Sequence, residues 1–251
     1  MKISVIILTF DSEQNIERCI SSIVNSKTMN EYEIIVIDNA SNDNTINLIK
    51  KAFPQVHLIQ NTSNKGVAPA RNQGLDNSTG DYILFLDDDA YLLPETLELL
   101  ASYLNNNSKC GIVGPQMLNP DQTLQFNALP IPSVSIKLKR IVQRIFHIKA
   151  KPYYIEKILN TQNFEPGYLI GACQLIRKKV IEITGKLDEH IFYGPEDADL
   201  CLRVKKCGFQ VVCVPQAKAI HAYRRSSYNF KRINLLLAHV KGLFYFWFKH
   251  L

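Results

Sequence analysis

Between Lys2 and Leu86 short β-branched runs alternate with segments of helical period, and this alternation limits the fold more than any other feature of the chain. Ile3–Leu8, Glu33–Asp38, Val56–Gln60 and Asp81–Leu86 predict strands. Ser12–Ser26, with Ile16, Ile20 and Ile23 on one face, predicts a helix, as do Asn42–Phe53, with Asp43 in its first turn, and Gly66–Asn77. Strands separated by helices imply βαβ units and a parallel sheet. Runs such as SVIIL and YILFL have no polar alternation, so helices should cover both faces of that sheet. The 251 residues suffice for one domain or slightly more, and no internal repeat is evident.

In sheets of this kind ligands bind beyond the carboxyl ends of the strands. Thr9–Asp11, Asp38–Ser41 and Asp87–Asp89 each follow a predicted strand directly. Two of these groups are acidic, which suits a cation and not a bare phosphate. Asp87, Asp88 and Asp89 are the sharpest signal: successive carboxylates repel one another, and a hard divalent cation such as Mg²⁺ or Mn²⁺ relieves that repulsion. A solvated acidic turn is the bland alternative, weakened by the strongly apolar strand in front. The chain holds no G-x-x-x-x-G-K-[ST] stretch and no G-x-G-x-x-G after the first strand, which argues against a P-loop NTPase and a dinucleotide-binding enzyme.

The second half is less regular. Residues 119–165 hold several prolines and the run KLKRIVQRIFHIKAK, and read as a partly helical insertion. Tyr168–Ile176 predicts a returning strand, Glu196–Lys206 a helix stopped by Gly208, Phe209–Val214 a strand, and Asn229–Leu251 a terminal helix. The formal net charge of +6 is unevenly spread. Residues 135–157 carry seven Lys/Arg against one acid, and residues 218–251 carry seven and none, so the rest of the chain is net acidic. Six scattered cysteines without a C-x-x-C pair read as reduced, buried thiols of a cytoplasmic protein, and the start MKISVIILTF does not read as a signal peptide.

The order SVIILTF, EIIVIDNASNDNT, NKGVAPARNQG, DYILFLDDDA, GACQLIRKKV and GKLDEHIFYGPEDADLCLR resembles the family 2 glycosyltransferases, in particular their rhamnosyltransferase-like branch. The resemblance runs from about Lys2 to Tyr223 and lapses in 119–165. It implies a GT-A fold: an α/β, Rossmann-like, mostly parallel sheet with helices on both faces, an acceptor half and a C-terminal helix. On that reading residues 1–223 form the transferase domain, divided into a nucleotide-sugar half (1–115), a variable insertion (116–166) and an acceptor and catalytic-base half (167–223). Residues 224–251 form a basic amphipathic helix.

The resemblance also implies roles. Asp87 and Asp89 match the D-x-D that holds the metal, with His221 completing the shell, and the ribose contact falls to Asp88 or Asp87. Thr9 and Phe10 match a base-edge contact and a stacking face, and Asp38 a nucleobase contact. Arg71 matches a position near the base or phosphates, against the alternative of a surface arginine. Asn64 and Gly66 shape a loop of the nucleotide site. Asp197 matches the general base, and Glu196 an acceptor contact, although acids in a first helical turn also have a purely structural reason. Asp11 departs from the family's usual Asn, and His190 and His239 take no role. Asp199 is expected on the other side of its helix, paired with Arg203.

The implied activity is inverting, Mn²⁺- or Mg²⁺-dependent transfer from a UDP- or dTDP-sugar, dTDP-rhamnose among them, to a hydroxyl of a growing, lipid-linked surface polysaccharide. A sugar-nucleotide pyrophosphorylase is the enzymatic alternative, disfavoured because SVIILTFDSEQN has no Gly-rich loop. A non-catalytic nucleotide-sugar- or nucleic-acid-binding protein is the other, and no nucleic-acid partner is expected because the basic zones lack such motifs. The terminal helix either packs on the body or lies at an anionic membrane surface, Ile233–Phe248 being too short to span. A cytoplasmic place at the inner membrane face follows from the second choice.

Overall fold

A computed structural model describes residues 1–146, 153–222 and 233–251. The first half alternates as expected: β1 (Lys2–Thr9), α1 (Ile16–Val24), β2 (Glu31–Asp38), α2 (Thr45–Ala52), β3 (His57–Gln60), α3 (Val67–Asp76) and β4 (Tyr82–Asp87). Asp43 lies just ahead of α2, where its Oδ1 accepts from Thr45 N at 3.0 Å. Next come β5 (Ala90–Leu92), α4 (Thr96–Asn106) and β6 (Cys110–Leu118), then β7 (Ala128–Leu129), α5 (Val134–Ile145) and α6 (Ile155–Leu159). The last elements are β8 (Tyr168–Leu169), β9 (Cys173–Arg177), α7 (Lys178–Thr184), α8 (Glu196–Lys206), β10 (Gln210–His221) and α9 (Ile233–His250).

Eight strands form one sheet in the order β3-β2-β1-β4-β9-β6-β10-β5. The β1–β2, β1–β4, β2–β3 and β6–β10 pairs are parallel, whereas β9 runs antiparallel to both β4 and β6, and β5 antiparallel to β10. The sheet is therefore mixed. Side chains alternate between two cores: Ile3, Val5, Ile7, Leu84 and Leu86 pack with α1 and α4 on one face. Ile6, Ile35, Ile83 and Phe85 pack with α3, α7 and α8 on the other. The apolar character of SVIIL and YILFL follows from that double burial.

Two predicted strands differ from the structure. Tyr168–Ile176 is broken into β8, which pairs with β7 in a separate small sheet, and β9 in the main one. The break is at Gly171, where a Cβ would meet Arg71 Nη1. Phe209–Val214 continues as β10 to His221 because a bulge between Val214 and Lys218, around Pro215, lets the ladder resume at Lys218 opposite Gln116. β6 runs through the expected 115/116 boundary, and β9 lies between β4 and β6, so the two halves share one sheet. Arg224, Arg225, Lys231, Arg232 and residues 147–152 lie outside the described residues. All six cysteines are free thiols, buried except Cys207.

The terminal helix packs on the body. Leu243 and Phe246 are buried, and Trp247 Nε1 donates to Pro132 O at 2.7 Å. Its last turn is held by two acids. Lys249 Nζ reaches Asp188 Oδ2 at 2.7 Å and Asp199 Oδ1 at 2.8 Å, and His250 Nε2 lies 2.8 Å from Asp199 Oδ1. Asp199 also takes Arg203 Nε at 2.8 Å, the i,i+4 pair expected. Burial disfavours the Asp199 carboxylate, yet the bond from Lys249 and the Arg203 charge hold its pKa below the ordinary range. Asp199→Ala should therefore loosen α9 and cost about 3 kcal/mol in urea unfolding, the low end for a broken buried pair because Lys249 is partly exposed and can return to water.

Candidate active site

Parallel register aligns the strand ends. Thr9 sits opposite Asp38, and Leu8 opposite Asp87, so the residues after β1, β2 and β4 share one edge of the sheet. The short loops there are cross-tied: Asn42 N donates to Asp11 Oδ1 at 2.8 Å, and Asp11 N to Ser41 Oγ at 2.9 Å. Asp11 thus joins two strand-end loops. Asp38 is fully buried; its Oδ2 accepts from Ser41 N at 3.1 Å, while Oδ1 has no hydrogen-bond partner among the described residues. Phe10 is 41% exposed at the same edge. Asn64 Oδ1 accepts from Asn39 Nδ2 and from Gly66 N, both at 2.9 Å, closing the turn into α3. Gly66 has φ +88° and faces the Phe192 ring, so this turn requires glycine.

The three consecutive carboxylates do not act as one group. Asp88 turns back toward β1, accepting from Thr9 Oγ1 at 2.9 Å and Phe10 N at 3.2 Å. Burial, then the charge of Asp89, pushes its pKa up to about 7 despite the Thr9 bond. Asp87 and Asp89 point elsewhere, toward His221: Nε2 lies 3.1 Å from Asp89 Oδ1 and 4.0 Å from Asp87 Oδ2. The topology explains this meeting. His221 is the last residue of β10 and pairs opposite Ala90 at the start of β5, and Ala222 N donates to Asp89 O at 2.8 Å. Ligand atoms of Asp87, Asp89 and His221 all lie within 4.8 Å of one another, a spread that one cation can span. Two carboxylates and an imidazole suit Mn²⁺ or Mg²⁺. Burial lowers the affinity of His221 for a proton, but the Asp89 bond and the neighbouring acids together raise its pKa above the ordinary value.

Gln125 is a residue that sequence reasoning missed. Its Oε1 lies 2.7 Å from His221 Nδ1, while its Nε2 donates to Asn119 Oδ1 at 3.0 Å and to His221 O at 3.3 Å. An amide oxygen only accepts, so Nδ1 carries the proton and Nε2 is left to face the acids. Gln125 lies in the proline-rich 119–165 region, where no motif marks it.

Arg71 is no surface arginine, its side chain being 4% exposed. Nη2 lies 2.5 Å from Asp87 Oδ1 and donates to Gly171 O at 2.9 Å, with the guanidinium 5.2 Å from the Phe85 ring. Gly171 N in turn donates to Asp197 Oδ2 at 3.1 Å, and Ala198 N to Asp197 Oδ1 at 2.7 Å. One glycine thereby connects the Asp87 cluster to the first turn of α8. Burial raises the Asp197 pKa, opposed by those two backbone bonds and by Arg71. Burial and the Asp197 charge raise Glu196 likewise; its Oε2 is buried without a hydrogen-bond partner among the described residues. Thr9, Phe10, Asp38, Asp87, Asp88, Asp89 and His221 thus lie at this edge, Asn64 lies in the turn into α3, and Arg71 reaches Gly171, which bonds the first turn of α8 with Glu196 and Asp197.

A sequence model of glycosyl transferase family 2 matches residues 4–184. N-acetylglucosaminyl-diphospho-decaprenol L-rhamnosyltransferase of Mycobacterium tuberculosis is 24% identical over 262 residues, covering 96% of this chain and 82% of that protein. The dTDP-rhamnosyl transferase RfbF of Shigella flexneri is 28% identical over 235 residues, covering 92% and 72%. Among solved structures, GalNAc-T7 with UDP, GalNAc and Mn²⁺ superposes with a TM-score of 0.67 at 18% identity over 89% of this chain. The mannosyltransferase of Pyrobaculum calidifontis with GDP-Man and Mn²⁺ gives 0.63 at 17% over 90%. This chain spans 44% and 58% of those two, and at such identity the likeness carries the GT-A fold alone. By the family match across most of its length, the chain is a member of glycosyl transferase family 2.

Proposed function

We propose that the protein is an inverting, divalent-metal-dependent glycosyltransferase that moves a hexosyl or rhamnosyl unit from a UDP- or dTDP-sugar, dTDP-rhamnose foremost, to a hydroxyl of a lipid-linked polysaccharide precursor. The observation that carries the reading is the meeting of Asp87, Asp89 and His221 on one side of Gly171 with Asp197 on the other. Both rhamnosyltransferase relatives support the donor, and the decaprenol-linked substrate in the name of one supports the acceptor. The setting is cytoplasmic, at the inner face of the membrane, with a peripheral contact; no helix among the described residues is long and apolar enough to cross. The nucleotide-sugar half is 1–115, the insertion 116–166 and the acceptor half 167–223, followed by the basic terminal segment 224–251. Nucleic acid has no part in this reading.

Asp87, Asp89 and His221 would hold Mn²⁺ or Mg²⁺. Bound there, the ion supplies positive charge against the donor diphosphate and makes it a better leaving group. Phe10 offers its exposed ring to the base, and Asp38, with a buried free oxygen, accepts from the base edge. Thr9 fixes Asp88 for the ribose, Arg71 keeps positive charge beside Asp87, and Asn64 holds the turn into α3. Glu196 takes an acceptor hydroxyl. Asp197 accepts the proton of the attacking hydroxyl as its oxygen bonds to the anomeric carbon and the nucleoside diphosphate departs. A single displacement inverts that carbon. Gly171 N and Ala198 N orient the base, and its raised pKa strengthens it as a proton acceptor.

Several outcomes test this. A panel of UDP- and dTDP-sugars scored by thermal shift should stabilise the protein only with Mn²⁺ present. Free nucleoside diphosphate should accumulate slowly with water as acceptor; pyrophosphate from a nucleoside triphosphate and a sugar phosphate would overturn the reading. Asp197→Asn should keep donor affinity and lose about 10²–10⁴-fold in turnover. The base works only ionised, so turnover should fall with acid, and its inflection should lie above the ordinary carboxylate value of about 4. Asp89→Ala should abolish metal-dependent donor binding, whereas Gln125→Ala should weaken Mn²⁺ about 10–100-fold by electron paramagnetic resonance titration with little loss of stability.

A further inference from the structure

Two helices outside the site each expose a regular apolar stripe. On α5, Val134, Leu138 and Val142 recur every fourth residue and are 50%, 57% and 49% exposed, with Phe146 just beyond at 69%. On α9, Leu237, Val240, Phe244 and Phe248 recur at three- and four-residue steps and are 59%, 39%, 65% and 84% exposed. The stripes belong to neighbouring helices: Trp247 Nε1, near the end of α9, donates to Pro132 O just before α5. The buried side of α9, with Leu243 and Phe246, already faces the body, so the exposed stripe is surplus to folding.

We propose that α5 and α9 together form a docking surface for an anionic lipid bilayer. Charge decides between a bilayer and a second copy of the chain. Neither helix contains an acid, and Lys137, Lys139 and Lys241 accompany the stripes. A symmetric dimer through this face sets lysines against lysines, whereas anionic headgroups meet them while the phenylalanines enter the acyl boundary. The net-acidic remainder of the chain is repelled by the same lipid, which orients the molecule. α9 also borders the acceptor side: Gly242 packs against Gly194 O, and His239 against Gly194, two residues before Glu196. The purpose of the surface rests on the lipid-linked acceptor proposed above; the surface itself stands on exposure and charge.

Flotation of the full chain with vesicles is the test. The protein should float with equimolar phosphatidylcholine and phosphatidylglycerol, far less with phosphatidylcholine alone, and less as salt rises. Leu138→Glu with Phe244→Glu should cut the bound fraction about tenfold or more without lowering the melting temperature, since both sites are exposed, while Ile183→Glu on α7 changes nothing. Failure of the intact chain to float, or flotation indifferent to the paired substitution, overturns the inference. So does sedimentation showing that the same substitution splits a dimer. Donor hydrolysis measured without vesicles separates the two proposals: turnover without flotation sinks the surface alone, and flotation without turnover sinks the transferase reading alone.

Discussion

Three carboxylates in sequence at the end of a buried strand are unstable unless cations come to them, and the architecture around Asp87–Asp89 is the answer to that repulsion. Nitrogen groups reach them from two directions. Arg71 reaches in from α3, underneath, and His221 from the end of β10. Both need the sheet order: β9 placed beside β4 brings Gly171 close enough to receive Arg71, and β5 placed beside β10 brings His221 to Asp89. A side chain at Gly171 would close the space that the guanidinium fills. The apparent irregularities of the second half are thus the means by which Asp87, Asp89 and His221 come within 4.8 Å of one another.

Within the triplet the labour is divided by direction. Asp88 is turned to the β1 loop, bonded to Thr9 and Phe10, where burial favours its neutral form. Asp87 and Asp89 turn oxygens toward His221, and Gln125 settles which imidazole nitrogen faces them. Successive residues here point apart and alternate ones together, so D-x-D spacing leaves the middle residue for a different task. The pair on α8 is divided likewise: Asp197 takes two backbone N–H groups and keeps a defined orientation, while Glu196 retains a free oxygen.

The first half was legible because its elements are local: Ile16, Ile20 and Ile23 are buried on α1 as their spacing requires, and the strand ends carry the polar residues. Asp87, Asp89 and Asp197 could be singled out from motif position, since Asp87 ends β4, Asp89 stands just before β5 and Asp197 lies in the first turn of α8. What was not legible depends on long-range pairing. The break at Gly171 has no signal without knowing where Arg71 goes. The extension of β10 past Pro215 depends on β6 and β5 as partners, and a proline in a run ordinarily ends it. Gln125 is one amide in an irregular stretch, and only its contact with His221 distinguishes it. β6, buried along its whole length, and α4, buried on one face, passed unremarked because their run carries no motif.

The first turn of α8 joins these two levels. Asp197 and Asp199 are two residues apart, about 200° around a helix of 3.6 residues per turn, and so face opposite ways. One side presents a proton acceptor toward Gly171 and the Asp87 cluster. The other holds Arg203, Lys249 and His250, anchoring the end of α9. Gly242 of α9 packs on Gly194 at the entry to the same turn. The helix that carries Asp197 is therefore fixed from behind by the helix that carries the exposed aromatic stripe. Since α9 is clamped through fully buried Asp199, a force on its outer face is transmitted to a rigid element and not absorbed by a loop. A surface that binds lipid through α9 consequently holds Asp197 at a set distance from that lipid, the geometry that an acceptor tethered in a bilayer requires.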